Sequence, residues 1–154
     1  MKLDGSQQTF SYDNAIWSNK QTFQSKNLEL DNKETKLASY WTLPFTEVRL
    51  GMKVDGTIRW ITFSHLSTVS LQMDVTGERA LVKDGFNAKS HPTHARTRLG
   101  FIANQENNCG NPGSFVGFGT RYKSHANSAG NCAGSTANDN GSLDIKVIGY
   151  IMAR

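Results

Sequence analysis

The sequence VRLGMKVDGTIRWITF, residues 48–63, carries the clearest folding signal of the chain. Apolar residues in its first half recur at every second position, which is the period of a half-buried strand. These apolar positions are Val48, Leu50, Met52 and Val54. Asp55 and Gly56 follow them as a dipeptide that is typical of a two-residue type I′ turn. Because TIRWITF then has the composition of a returning strand, the stretch predicts a β-hairpin.

The rest of the chain predicts further strands and one long loop. TRLGFIA, residues 97–103, has the composition of a strand, and SLDIKVIGYIMAR, residues 142–154, is apolar on both faces, as expected of a central strand. SLQMDVTGERALVKDGF, residues 70–86, fits a strand followed by one or two helical turns. Residues 104–141 show almost no periodicity and are predicted to form a single loop. Such a long loop is uncommon in a compact domain unless it is functional or tied by a metal or a disulfide.

The composition is that of a small globular domain. The chain has 154 residues, of which 37% are hydrophobic and 19% charged, and this suits a single domain with one core. Fourteen glycines against three prolines favour a protein rich in loops and strands. We therefore expect an α+β, strand-rich fold with few short helices.

Charge and hydropathy disfavour two function classes. The formal net charge is +4, and the basic residues are spread along the chain apart from a mild concentration around Lys83, Lys89, Arg96 and Arg98. Nucleic-acid binding usually needs a denser basic stripe with aromatic residues between the cations, so it is not expected. No apolar run is long enough to span a bilayer, and the opening MKLDGSQQTF lacks the apolar region of a signal peptide. We expect no insertion into a membrane.

Two cysteines, Cys109 and Cys132, lie in the predicted loop. An internal disulfide between them would close a loop of about 20 residues and add roughly 3 kcal/mol by restricting the unfolded chain. Two free thiols and bridges to a second chain are the alternatives. Disulfides persist in oxidising compartments, so internal pairing implies an extracellular protein.

Oxygen-bearing side chains are concentrated in the same loop. NQENNC, residues 104–109, and NDNGS, residues 138–142, offer carboxylates and carboxamides, and calcium takes about six to eight such oxygens. The candidate ligands are Asn104, Glu106, Asn107 and Asp139. The EF-hand pattern does not fit, because it would place Thr136 and Val147 where acids are needed. Zinc is disfavoured because the cysteines lack paired spacing. An ordinary polar turn is the alternative interpretation.

A series of motifs along nearly the whole chain resembles a family of secreted cnidarian domains. The motifs are WSNK (17–20), ETKL-x-x-YW (34–41), LGMKVDG (50–56), DGFN (84–87), RLGFIANQENNC (98–109), GFGT (117–120) and IKVIGYI (145–151). DGFN departs from the EGFN of the family. The family includes sea-anemone calcium-dependent galactose-binding lectins and modules of coral skeletal matrix proteins. The resemblance implies an extracellular protein whose residues 1–154 form one carbohydrate-recognition-like domain.

A fainter resemblance extends to the intelectins and other fibrinogen-like lectin domains. It rests on an Asn-x-Glu-x-x-Cys run, here Asn104, Glu106 and Cys109, before a glycine-rich aromatic stretch. It implies a fibrinogen/intelectin-like fold whose long loop is stabilised by calcium, with Asn104, Glu106 and Asn107 as ligands. Intelectins have histidine at the position of Asn107 and a further glutamate between their following cysteines. No acid lies between the two cysteines here, so Asp139 is expected to supply that ligand.

The resemblance and the ligand set together predict a calcium-dependent lectin for terminal galactose. A calcium with two open positions takes a vicinal diol in place of water, and the cis 3,4-diol of galactose suits this geometry. Glu106 and Asn107 are expected to hydrogen-bond to the same hydroxyls. Tyr122 and His125 are candidates for a stacking and a polar sugar contact, with a core position and an exposed loop position as their alternatives. Because a single site of this kind binds weakly, we expect a homo-oligomer, most simply a dimer.

Two other function classes compete with this prediction. An enzyme is not expected, because the histidines show no framing of a nucleophile such as G-x-S-x-G. Those histidines are His65, His91, His94 and His125. A glycosidase needs two neighbouring carboxylates, for which Glu106 and Asp139 are the available pair. The second competitor is a calcium-stabilised structural or adhesive extracellular matrix module without sugar binding, because the family resemblance covers both roles.

Overall fold

The computed structural model describes residues 1–70, 84–89, 96–103, 114–122, 125–133 and 143–154. Strands dominate these ranges, and helical structure in them is limited to a 3₁₀ turn, Ala15–Trp17, and a short helix α1, Ser39–Thr42. The strands are β1 (Lys2–Asp4), β2 (Pro44–Val54), β3 (Thr57–Ser70), β4 (Asp84–Lys89), β5 (Arg96–Ala103), β6 (Ser114–Tyr122), β7 (His125–Ala133), β8 (Leu143–Lys146) and β9 (Ile148–Ala153). The expected strand-rich chain with few short helices is confirmed for the described residues.

The strands form two antiparallel sheets. The first sheet has the order β1-β9-β2-β3, and the second has the order β4-β5-β6-β7-β8. Neighbours in the second sheet are consecutive in sequence, so that sheet is a meander. The first sheet instead joins β1 and β9, which lie at opposite ends of the described chain.

The hairpin predicted from residues 48–63 is confirmed. β2 and β3 pair in register from Val48 opposite Phe63 to Val54 opposite Thr57, which leaves a two-residue turn. Asp55 has φ 50° and Gly56 has φ 78°, as a type I′ turn requires. The local turn chemistry therefore sets the register of the pair from Val54 back to Val48.

One cluster of buried side chains joins both sheets to the N-terminal segment. The first sheet contributes residues such as Val48 and Ile151, and the second contributes Leu99 and Phe118. The polar first forty residues add anchors of their own, which are Leu3, Phe10, Ile16, Trp17 and Tyr40. The rings of these anchors meet edge to face, with centroids 5.8 Å apart for Phe10 and Trp17. The N-terminal segment is thus part of the core.

Residues 104–141 do not form one loop, and this prediction is wrong. β6 and β7 lie inside that segment and form a hairpin between β5 and β8. In VGFGTRY the residues Val116, Phe118 and Thr120 do alternate with glycine or arginine, which is a strand period, but the glycines weaken the hydropathy signal.

A row of glycines crosses the second sheet and explains its unusual composition. Gly85 pairs with Gly100, Gly100 with Gly117, and Gly117 with Gly130. The last three have φ between 152° and 159°, and a Cβ on Gly130 would lie 1.9 Å from the Ile145 carbonyl oxygen. Glycine is therefore required along this row, because the backbones of neighbouring strands approach too closely for a Cβ.

The single central strand expected for residues 142–154 is corrected to two strands. β8 ends at Lys146 on the edge of the second sheet, and β9 begins at Ile148 in the middle of the first. At the crossing, the Val147 carbonyl accepts a hydrogen bond from the Gly5 backbone at 2.7 Å. The expected burial on both faces is present in β9, where Tyr150 and Ile151 are both buried. No helix in the described ranges is long and apolar enough to cross a bilayer.

Candidate functional site

Four strands of the second sheet end in one row of paired residues. Ala103 pairs with Ser114, Ser114 with Ala133, and Ala133 with Leu143. These are the last residue of β5, the first of β6, the last of β7 and the first of β8. We call this row the strand-end row. The connections 104–113 and 134–142 both begin and end there.

The candidate calcium ligands belong to those two connections. Asn104 directly follows Ala103, with Glu106 and Asn107 after it, and Asp139 belongs to the connection between β7 and β8. All four ligands lie outside the described residues, so their side chains have no described positions. The described strand ends that flank the two connections lie together in the strand-end row, at one end of the second sheet.

Tyr122 and His125 lie at the opposite end of the sheet. They are the last residue of β6 and the first of β7, and they pair directly across the hairpin. β6 has nine residues. At about 3.4 Å per residue, its ends are roughly 27 Å apart. Tyr122 and His125 therefore lie at the turn end of the β6–β7 hairpin, opposite the strand-end row.

The two cysteines lie near the strand-end row in the chain. Cys132 is in β7, in register with Phe115 on one side and Asp144 on the other. Cys109 belongs to the connection 104–113 and is outside the described residues. The internal disulfide therefore stays a prediction, with the free thiols and the bridge to a second chain as its alternatives.

An arginine cluster lies at the end of the sheet where Tyr122 and His125 pair. It consists of Arg96, Arg98 and Arg121, gathered around the chain segment that carries Tyr12 and Asp13. The Asp13 carboxylate contacts Arg121 and lies 3.8 Å from an Arg96 nitrogen. Sequence inspection noted Arg96 and Arg98 but missed the other three residues, because Tyr12 and Asp13 are more than 80 positions away from the strands they meet.

Arg98 holds the N-terminal segment on this end of the sheet. Its Nε and Nη2 donate to the Tyr12 carbonyl at 3.0 and 2.8 Å, and its guanidinium lies 4.3 Å from the centre of the Tyr12 ring. Burial raises the pKa of the Tyr12 hydroxyl, and the charges of Arg98 and Arg96 oppose that shift. Tyr12 is 6% exposed, so it acts as a buried support for the cations.

A second pairing of an arginine with an aromatic ring lies on the first sheet. The Trp60 indole lies against Gly51, where a Cβ would come within 2.6 Å of it, and it also contacts Tyr150 at 5.8 Å between ring centres. The exposed Arg49 guanidinium lies 4.3 Å from the Trp60 ring. Beside it is a groove of about 490 Å³ that Glu47 and Arg154 also line. Both residues of this pair belong to the first sheet, Arg49 to β2 and Trp60 to β3.

The described residues contain no group of three or more His, Cys, Asp or Glu side chains suited to a metal ion. The chain matches no family model, no curated protein and no solved structure. The resemblance to the cnidarian domains and to the intelectins therefore stays a prediction carried by the quoted motifs.

Proposed function

We propose that the protein is a calcium-dependent lectin that binds terminal galactose at the strand-end row of the second sheet. The observation that carries this proposal is the convergence of connections 104–113 and 134–142 on one row of four paired residues. The first connection brings Asn104, Glu106 and Asn107, and the second brings Asp139. Two carboxylates and two carboxamides from two neighbouring connections have the donor chemistry that calcium prefers.

The ion supplies two coordination positions for a vicinal diol when it is bound. The side chains of Glu106 and Asn107 fix the orientation of the sugar by accepting from and donating to its hydroxyls. Selectivity for galactose over glucose follows from the cis arrangement of the 3- and 4-hydroxyls. Tyr122 and His125 pair at the other end of the β6–β7 hairpin, so the proposal does not rest on them.

The partners and compartment follow from the same proposal. A single polar site of this kind has a dissociation constant of roughly 0.1–1 mM, so a dimer that presents two sites gains avidity on a galactose-rich surface. An internal Cys109–Cys132 disulfide would restrain the connection that carries Glu106. It would also place the protein outside the cell. The proposal includes no catalytic role, and hydrolysis of a chromogenic galactoside would contradict it.

The second candidate function is a structural or adhesive matrix module in which calcium only orders the connections. The same convergence of the two connections supports it, because an ion that joins them stabilises the second sheet without any sugar. The two functions differ only in whether a coordination position stays open for a ligand.

Thermal unfolding separates the two functions. We expect the melting temperature to rise on replacing EDTA with calcium, and to rise again on adding lactose but not glucose, because ligands that bind only the folded state stabilise it. A calcium response without a lactose response favours the structural module. No calcium response contradicts both.

The matched variants for this experiment are Glu106→Gln and Glu29→Gln. Both remove one carboxylate charge, but Glu29 is an exposed residue of the N-terminal segment. Only Glu106→Gln is expected to abolish the calcium and lactose shifts. Equal loss in both variants would point to a general charge effect and against the site.

A further inference from the structure

The arginine cluster is part of a row of like charges that the chain order hides. Lys89 pairs with Arg96, and Arg96 pairs with Arg121, on three neighbouring strands of the second sheet. The next position of the row, on β7, is Ala126. Neighbouring strands are about 4.8 Å apart, so three basic residues occupy a line of roughly 10 Å without an acidic residue. We call this line the basic row.

Like charges in direct cross-strand register destabilise a sheet. The described neighbourhood brings one carboxylate, Asp13, from a distant part of the chain to two of these cations. Asp13 and Arg121 are each about half exposed, at 51% and 47% of their side-chain surface. The Arg121–Asp13 contact is therefore open to solvent and to competing anions.

We propose that the basic row binds the sulfate groups of a sulfated polysaccharide, independently of calcium. Register sets the spacing of the cations, and Arg98 and the buried Tyr12 ring support the row from the N-terminal segment. Arginine matches sulfate oxygens with its fork of N–H donors. A sulfate that approaches Arg121 replaces the Asp13 carboxylate by another anion whose oxygens accept from the same guanidinium N–H groups.

The observations favour a polysaccharide over the other two common polyanions. Single-stranded nucleic acids add base stacking on exposed aromatic rings, and the Tyr12 ring in the cluster is 6% exposed. Membrane surfaces also need exposed apolar side chains beside the cations. Most large apolar side chains that are exposed in the described ranges lie elsewhere, in the N-terminal segment and the first sheet. They are Leu28, Leu30, Leu43, Ile61 and Met152.

Retention on immobilised heparin at increasing NaCl tests the proposal, with EDTA present throughout. We expect Arg121→Ala to weaken binding roughly fivefold near 0.15 M salt, taking as a guide the counterion release of duplex DNA, which is about 0.9 ions per neutralised charge. Arg121→Lys should restore most of the retention. The matched control is Arg49→Ala, which removes an exposed arginine that stacks on Trp60 in the first sheet. Equal weakening by both alanine variants overturns the proposal.

A substitution that should strengthen heparin binding gives a second, independent readout. Asp13→Asn removes the carboxylate that competes for Arg121 and Arg96, so heparin should be retained to higher salt. Asp55→Asn makes the same change of net charge in the exposed hairpin turn and is the control. Weaker retention of Asp13→Asn, or an equal gain in both variants, contradicts a specific basic row.

Two further experiments decide which class of polyanion binds and whether binding requires calcium. We expect heparin to compete the protein away from duplex DNA and from phosphatidylserine vesicles at equal charge concentration. Tighter binding to DNA or to vesicles overturns the polysaccharide assignment. Retention that requires calcium would place heparin at the proposed lectin site and overturn a separate row, whereas failure of the lactose response leaves this inference intact.

Discussion

Lys36 shows how the polar N-terminal segment is held together by one buried cation. The residue is 0% exposed, and its ammonium donates to the Ile16 carbonyl at 2.5 Å and to the Asn19 carbonyl at 2.7 Å. A third bond reaches the Asn19 side-chain oxygen at 2.8 Å. Burial lowers the pKa of Lys36 to about 8, so the ammonium form still prevails at neutral pH. One side chain thereby ties together the 3₁₀ turn and the segment that follows it.

Lys36→Met should destabilise the fold by roughly 2–4 kcal/mol, because it leaves buried acceptors without a donor while keeping a similar apolar stem. The measurement is urea unfolding at neutral pH. Lys33→Met changes an exposed lysine three residues away and should cost little. Similar losses in the two variants would contradict the role assigned to the buried ammonium.

The Asp31 carboxylate makes the stability of the fold depend on pH. A 2.6 Å hydrogen bond from Lys2 lowers the pKa of Asp31 from 3.8 to about 2. Because the folded-state pKa lies below the unfolded one, this contribution to stability is present above pH 3.8 and is lost as the pH falls towards 2. We therefore expect Asp31→Asn to flatten the loss of stability across that window in a series of unfolding curves. An unchanged slope would contradict the pairing with Lys2.

At the scale of elements, the hairpin of β2 and β3 was predictable because all its signals are local. The period of two and the Asp55–Gly56 turn lie within sixteen residues of sequence. The hairpin of β6 and β7 was missed because its glycines reflect contacts with other strands. Gly117 is required by the closeness of β5, because a Cβ there would lie 2.5 Å from the Leu99 carbonyl oxygen, and the sequence of β6 alone does not contain that information.

The glycine row predicts a large cost for a single added methyl group. Gly130→Ala would place its Cβ 1.9 Å from the Ile145 carbonyl oxygen, at a φ of 153°. Backbone of a paired strand has to move, so the expected cost is at least about 3 kcal/mol. Gly56→Ala is the control, because its φ is 78° but a Cβ there meets nothing within 4 Å. It should cost roughly 1 kcal/mol.

Chemical denaturation of both variants separates steric contact from backbone conformation. Equal costs for Gly130→Ala and Gly56→Ala would mean that positive φ alone explains the glycines. The close approach of β7 and β8 would then be contradicted.

At the scale of the whole molecule, the contacts that close the structure are long-range. β1 pairs with β9 from the other end of the described chain, and Tyr12 meets Arg98 on the second sheet. The sequence indicated a strand-rich fold, but it did not predict that Phe10 and Trp17 join a core shared by both sheets. Periodicity reports one face of one element, whereas these pairings depend on how distant segments meet.

For the candidate site, as for the fold, the sequence indicated the residue types but not how distant segments meet. Residue chemistry alone selected Asn104, Glu106, Asn107 and Asp139, and strand order then brought their two connections to the strand-end row. Closeness in sequence grouped Tyr122 and His125 with them, whereas the described strands place these two residues at the other end of the β6–β7 hairpin. In an antiparallel hairpin, residues near the turn and residues near the open end are separated by the strand length, whatever their distance along the chain.

Calcium titration of a double-mutant cycle tests the calcium site most directly. The variants are Glu106→Gln, Asp139→Asn and the two combined, measured by calorimetry, with Asp55→Asn as the charge control. We predict that each single change weakens calcium binding roughly tenfold or more and that the two effects are not additive, because both side chains bind one ion. Unchanged calcium affinity in Asp139→Asn, or in Glu106→Gln, would contradict a shared site at the strand-end row.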